Sequence, residues 1–169
     1  KLVRVALAGS PVTPIAKVSG LTYGASWAPG DTIIFAADSG LMEVPAAGGT
    51  PRLIARPDSG EAFRFPEVLP DGRAALFGVK SGGTLKLAAL TRRTGQVKRF
   101  QQQGGYPRYV NGGYVVLNDP SGIVSVVHFD AGRLEVTGAA GPLIDKLEVG
   151  ANEVLNLGVS RSGDFAFQT

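Results

Sequence analysis

One histidine, no cysteine and fourteen acidic residues bound the chemistry open to this chain of 169 residues. Without cysteine there is no thiolate nucleophile, no disulfide framework, no Cys-ligated zinc and no iron–sulfur cluster. His128 is the one imidazole, so any Ser-His-Asp arrangement would have to use it. A general base also needs a nucleophile and an orienting acid close in space. The simpler reading makes His128 a strand residue with a local hydrogen bond. Asp31, Asp71, Asp119 and Asp164 all lie in or beside glycine-rich turns. Calcium wants about six to eight oxygen ligands, and no D-x-[DN]-x-[DN]-G loop is present, so these acids read as turn formers. The glycine pairs 48–49, 82–83, 104–105 and 112–113 lack the lysine of a phosphate loop and lead into no helix, so they read as β-turns. No metal and no cofactor is expected.

The net charge is +3 with a pI near 9.4, and the charges are scattered. That is too little to argue for nucleic acid. Arg92, Arg93, Lys98 and Arg99 form the one local concentration, around a hairpin at Thr94-Gly95. Such a hairpin suits an acidic partner or a lipid headgroup. It serves equally as a charged edge that discourages strand-to-strand aggregation.

The elements that must position these residues repeat. Leu2 to Pro11 matches Leu41 to Pro51 in the pattern L-x-x-V-x-x-A-G, a small residue, then Pro, at an offset of 39 and then 40 residues. Looser copies begin at Leu85 and Ile123. Between them stands a strand–turn–strand unit, Ser26 to Phe35, which recurs at Glu67 to Phe77, Arg108 to Leu117 and Gly158 to Phe167. Its turns hold Pro-Gly-Asp, Asp-Gly, Asn-Gly and Ser-Gly, which supply the positive φ that hairpins need. The strand residues are β-branched or aromatic, and no window favours a period of 3.6. About 40 residues holding four short strands is the spacing of a β-propeller blade. The fold expected is all-β, a propeller of four-stranded antiparallel blades. A half-blade falls at 1–18, blades near 23–56, 63–102 and 106–137, and a second half-blade near 154–169. Residues 138–153 read as an insertion, or as a loop with a turn of helix around Leu143–Leu147.

Composition agrees. Hydrophobic residues make up 44% and charged residues 18% of the chain, which is globular rather than disordered. The 24 glycines and 11 prolines, without a collagen period, fit many tight turns. Apolar runs are too short for a transmembrane helix, and no signal peptide opens the chain. It starts at Lys1 rather than Met, as an excised piece would.

These motifs resemble the WD40-like, or TolB-like, propeller repeat. In that family a blade reads S-P-D-G, an apolar strand, a turn, an L-x-x-V strand and G-G-x-P. Ala28-Pro29-Gly30-Asp31 and Leu69-Pro70-Asp71-Gly72 stand in the first place, and Leu41 to Pro51 in the second. The resemblance is nearest to propeller regions fused to bacterial serine/threonine protein kinases. Those carry phrases like Gly24 to Pro29, Pro45 to Pro51, Gly105 to Tyr109 and Arg133 to Gly138. No kinase signature is present, so phosphoryl transfer would belong to another domain. Nor is there a G-x-S-x-G motif.

The resemblance implies a non-catalytic interaction or sensor module of a larger bacterial protein, on the extracytoplasmic side of a membrane. It would bind a protein or small ligand on the face where the inner strands begin. The alternatives are the substrate-gating propeller of a prolyl-oligopeptidase-like peptidase and a periplasmic translocation accessory. Residues expected at that face are Tyr23, Arg64, Glu67, Tyr106, Arg108 and Asn156, aromatic and charged types suited to binding. They serve equally to fill the channel mouth with salt bridges and water. Trp27 occupies the position of Val68, Tyr109 and Val159 and is expected in blade-to-blade packing, with carbohydrate stacking as the alternative. Each half-blade alone is a marginal two-stranded ribbon. Completion requires the two to join, a second copy of the chain, or further blades.

Overall fold

Strands with turn residues between them fold into successive meanders. The computed structural model describes residues 1–7, 9, 11–145, 147 and 157–167. β1 (Leu2–Arg4) and β2 (Thr13–Ala16) form a two-stranded sheet. The first blade is β3 (Thr22–Ala28), β4 (Thr32–Ala37), β5 (Gly40–Pro45) and β6 (Arg52–Ala55), antiparallel in chain order. The second blade repeats this with β7 (Glu61–Val68), β8 (Ala74–Ser81), β9 (Thr84–Thr91) and β10 (Gln96–Gln103). The third has β11 (Gly105–Val110), β12 (Tyr114–Asn118) and β13 (Val124–Asp130). Its outer edge is shared by β14 (Glu135–Val136) and β15 (Gly141–Ile144). β14 pairs with Phe129 and Asp130, and β15 with Val124 to Val126. So residues 141–144 extend the sheet where a turn of helix was expected, because the outer edge of β13 still had unpaired backbone groups to satisfy. β16 (Leu157–Val159) and β17 (Phe165–Phe167) form a second two-stranded sheet. This is a β-propeller arrangement of four-stranded antiparallel blades, and no helix occurs among the described residues.

The core lies between the sheets rather than beneath one of them. In β8, Ala74 and Leu76 face the third blade, while Ala75, Phe77 and Val79 face the first. In β4, Ile34 and Ala36 face the second blade, and Ile33, Phe35 and Ala37 face β2. Strand side chains alternate between faces, so a strand covered on both sides must be apolar at every position. Each end sheet covers a blade: Ile15 and Ala16 pack on the first, and Leu157, Val159 and Phe165 on the third. β1–β2 and β16–β17 remain separate sheets.

Polar ties run between the stacked sheets. Arg92, in the β9–β10 turn, donates to Glu43 of β5 at 2.6 Å and to the Gly72 carbonyl at 2.8 Å. Arg52 takes the other oxygen of Glu43, also at 2.6 Å. Burial pushes the Glu43 carboxyl up, but the hydrogen bonds from Arg92 and Arg52 hold it below its ordinary value. Lys98 reaches Glu135 of the third blade at 3.5 Å.

Truncating one fully covered side chain tests the stacking. Leu76→Ala is expected to destabilise the chain by about 2–5 kcal/mol in urea unfolding. Leu21→Ala, at a side chain 65% exposed, is expected to cost under about 0.5 kcal/mol.

Candidate functional site

Each inner strand breaks its ladder at the same repeat position. Gly24, Phe65 and Tyr106, spaced 41 residues apart, have φ of 91°, 51° and 49°. The register with the second strand shifts there in all three blades. Left-handed backbone costs an aromatic residue roughly 1–2 kcal/mol, so the surrounding packing must enforce it. The three bulges stack across blades. The rings of Phe65 and Tyr106 meet edge to face, 4.9 Å between centroids. A Cβ on Gly24 would lie 3.1 Å from the Cα of Phe65, so glycine answers both the positive φ and the close approach.

The bulges turn a set of polar side chains out of the ladder. Arg64 lies over the ring of Tyr23, 3.4 Å from its centroid, and donates to the Phe63 carbonyl. The Tyr23 hydroxyl donates to Asp38 at 3.1 Å. Arg108 lies over Tyr106 at 4.2 Å and donates to Glu67 at 3.2 Å. Arginine over an aromatic face is worth about 0.5–1 kcal/mol when exposed and more when desolvated. Arg108 and Glu67 keep 27% and 21% of their side-chain exposure, so the pair is partly withdrawn from water and still reachable. Burial raises the Glu67 carboxyl above its ordinary value, against the opposing pull of the charges on Arg108 and Arg161.

Of the expected residues, Tyr23 meets Arg64, and Glu67 and Tyr106 both meet Arg108. They lie inside β3, β7 and β11 rather than just before them, because the bulge sits within the strand. Asn156 lies outside the described residues. Phe65 and Arg161 belong to the same neighbourhood and were not expected there. A signal for Phe65 was available: it follows Arg64 as Gly24 follows Tyr23, one repeat away.

The remaining candidates resolve into structure. His128 is exposed and tilts over Tyr114, 4.2 Å between ring centroids. Asp71 and Asp119 accept backbone N–H groups within their own turns. Asp164 accepts the Ser160 and Ser162 hydroxyls, which hold its carboxyl below the ordinary value. Asp31 itself has φ 51° and accepts from the Trp27 indole at 3.4 Å. Trp27 is 52% exposed, so it departs from the packing role of Val68. Arg99 is committed to Asp58 at 2.7 Å and Glu61 at 2.8 Å. Among the described residues, no group of three or more His, Asp or Glu is arranged to hold a metal ion.

No known protein-family model matches the chain, and no curated protein does. Solved structures do. A TolB-type protein from Agrobacterium tumefaciens superposes with a TM-score of 0.66 at 16% identity, over 86% of this chain and 55% of that one. The calcium-binding protein regucalcin from the same organism gives 0.66 at 17% identity, over 89% and 54%. TolB from Acinetobacter baumannii gives 0.63 at 18% identity, over 93% and 39%. The likeness is one of fold, the β-propeller. This chain spans about half the length of the first two.

Glu67 gives the inner site a pH signature. Its raised folded value means that the folded state holds the proton longer than the unfolded one. Its stabilising contribution is therefore complete below the unfolded value near pH 4.3 and is lost as pH rises through the folded value. Glu67→Gln removes that titration. Urea melts between about pH 4 and pH 7 should show the stability difference swinging toward the variant as pH rises. A pH-independent difference would contradict the assignment.

Proposed function

We propose that this chain is a non-catalytic binding module, a β-propeller that captures a protein or small ligand on the inner-strand surface. The supporting observation is a pair of arginine-on-tyrosine stacks carried by the inner strands, Arg64 on Tyr23 and Arg108 on Tyr106, with Glu67 of the second blade held by Arg108 of the third. Aromatic and arginine side chains held half-buried by a rigid scaffold offer stacking area and forked donors at low ordering cost. Asn156 completes the proposed surface from the sequence side alone. Chemistry on the chain itself has little to work with. The Ser160–Ser162–Asp164 cluster has hydroxyls and a carboxylate but no imidazole, and His128 lies against Tyr114 instead. In this reading the module belongs to a longer bacterial protein, works on the extracytoplasmic side, and passes its binding state to a covalently joined domain, a kinase among the candidates. The resemblance of the repeat to kinase-fused and TolB-like propellers supports that setting.

The test replaces Tyr23, Arg64 and Arg108 together with alanine and confirms folding by circular dichroism. Purified wild type and variant are then compared as bait against envelope extract from the source organism. The variant should lose a partner that an Arg4→Gln bait retains. Unchanged capture by the triple variant would refute the inner-strand surface.

A further inference from the structure

At the end of the blades where the inner strands finish, a cleft of about 570 Å³ opens between turns of three blades. Five arginines line it: Arg52 from the first blade, Arg73, Arg92 and Arg93 from the second, and Arg133 from the third. One carboxylate, Glu43, shares that lining, and Arg92 and Arg52 already claim both of its oxygens. Asp71 and Asp130 pair with Arg73 and Arg133 from outside the lining. Even with all three acids counted, guanidinium charge exceeds carboxylate charge by two.

The arginines divide into two kinds. Arg92 is fixed, with its two terminal nitrogens on Glu43 and the Gly72 carbonyl, and forms a rigid wall. Arg73 and Arg133 are 70% and 78% exposed, and the Arg133 pair is long at 3.9 Å. Exposed pairs of this kind contribute little, so their donors exchange readily for another oxygen. Ala74, Ala131 and Leu134 give the cleft an apolar floor. Leu134 has φ 53°, a left-handed residue at the end of the β13–β14 turn.

We propose that this cleft is a binding site for a small multivalent anion, its phosphate or carboxylate oxygens gripped by Arg93, Arg73 and Arg133 and backed by Arg92. Guanidinium forks match such oxygens in pairs. The volume lies in the range of small-molecule sites, about 300–1,000 Å³. More than one anionic group is called for, because the spare donors come from three turns, two in the second blade and one in the third. A ligand bridging them ties the second blade to the third, so binding raises the melting temperature with ligand concentration. The site is separate from the inner-strand surface and stands without it.

Two probes distinguish the sources of the anion: pyrophosphate for phosphate oxygens and citrate for carboxylates. Calorimetric titration of the full chain in about 150 mM NaCl is expected to give saturable binding of at least one of them, with a dissociation constant below about 1 mM. Arg93→Gln combined with Arg133→Gln should weaken that binding at least about tenfold and abolish the ligand-dependent rise in melting temperature. Arg4→Gln combined with Lys17→Gln removes the same charge elsewhere and should leave both unchanged. Binding of pyrophosphate alone assigns a phosphorylated ligand, and of citrate alone a polycarboxylate. The proposal is overturned if neither probe saturates, or if the two double variants bind equally.

Discussion

Everything in this chain depends on the stacking of apolar sheets face to face. A single antiparallel sheet can leave one face in water and alternate apolar with polar residues. A blade with a neighbour on each side cannot, and β4 and β8 are accordingly apolar at nearly every position. The same requirement assigns alternate residues of one strand to different neighbours. Leu76 belongs to the contact with the third blade and Phe77 to the contact with the first. A change at one residue therefore loads one interface, and a shift of register by one residue would exchange the two sets.

The hydrophobic effect itself is non-directional, so it rewards burial more than any one orientation of the blades. The polar contacts supply the missing geometry. At the inner edge, Ser26 accepts the Val68 N–H at 2.9 Å, and the bulges interlock through Phe65 and Tyr106. Farther out, Glu43 with Arg92 and Lys98 with Glu135 fix the same stack from the other side. This division explains why most of the basic hairpin is occupied. Arg92, Lys98 and Arg99 each hold a carboxylate, so the hairpin serves the fold before it can serve any partner.

The repeat made the architecture legible. Turn signals and β-branched runs recur at a fixed spacing, and each is local chemistry that needs no knowledge of neighbours. The four-stranded composition of the first two blades follows from them directly. What they could not show was the split outer edge of the third blade. Glu135–Val136 falls at the outer strand expected for the blade at 106–137, but it covers two residues only, and Gly141–Ile144 pairs where β13 still offers a free edge. The inner site was legible by residue type but not by mechanism. Tyr23, Arg64, Glu67, Tyr106 and Arg108 stand out as aromatic and charged residues in apolar strands. That they meet in pairs depends on backbone bulges at Gly24, Phe65 and Tyr106, and a left-handed Phe or Tyr has no signature in a propensity scale.

Trp27 marks where repetition stops being informative. Its counterpart Val68 is buried between blades, whereas Trp27 is half exposed and its indole N–H goes to Asp31 within the following turn. Repeat position fixes where the backbone goes. It does not fix how much of a larger side chain the neighbouring blade can cover. Val68 has Ala28 and Ile34 of the first blade packed beside it, whereas the sheet that precedes β3 is the two-stranded β1–β2, and the indole keeps half of its surface outside. The residues that depart from the repeat in size or charge are thus the ones left accessible. Trp27, Arg73 and Arg133 follow that rule, while Arg92 shows that a charged exception can also be drawn into the stack when a carboxylate receives it. A repetitive scaffold acquires recognition surface in this way, because residues meeting the stacking requirement are buried by it and only the exceptions reach solvent.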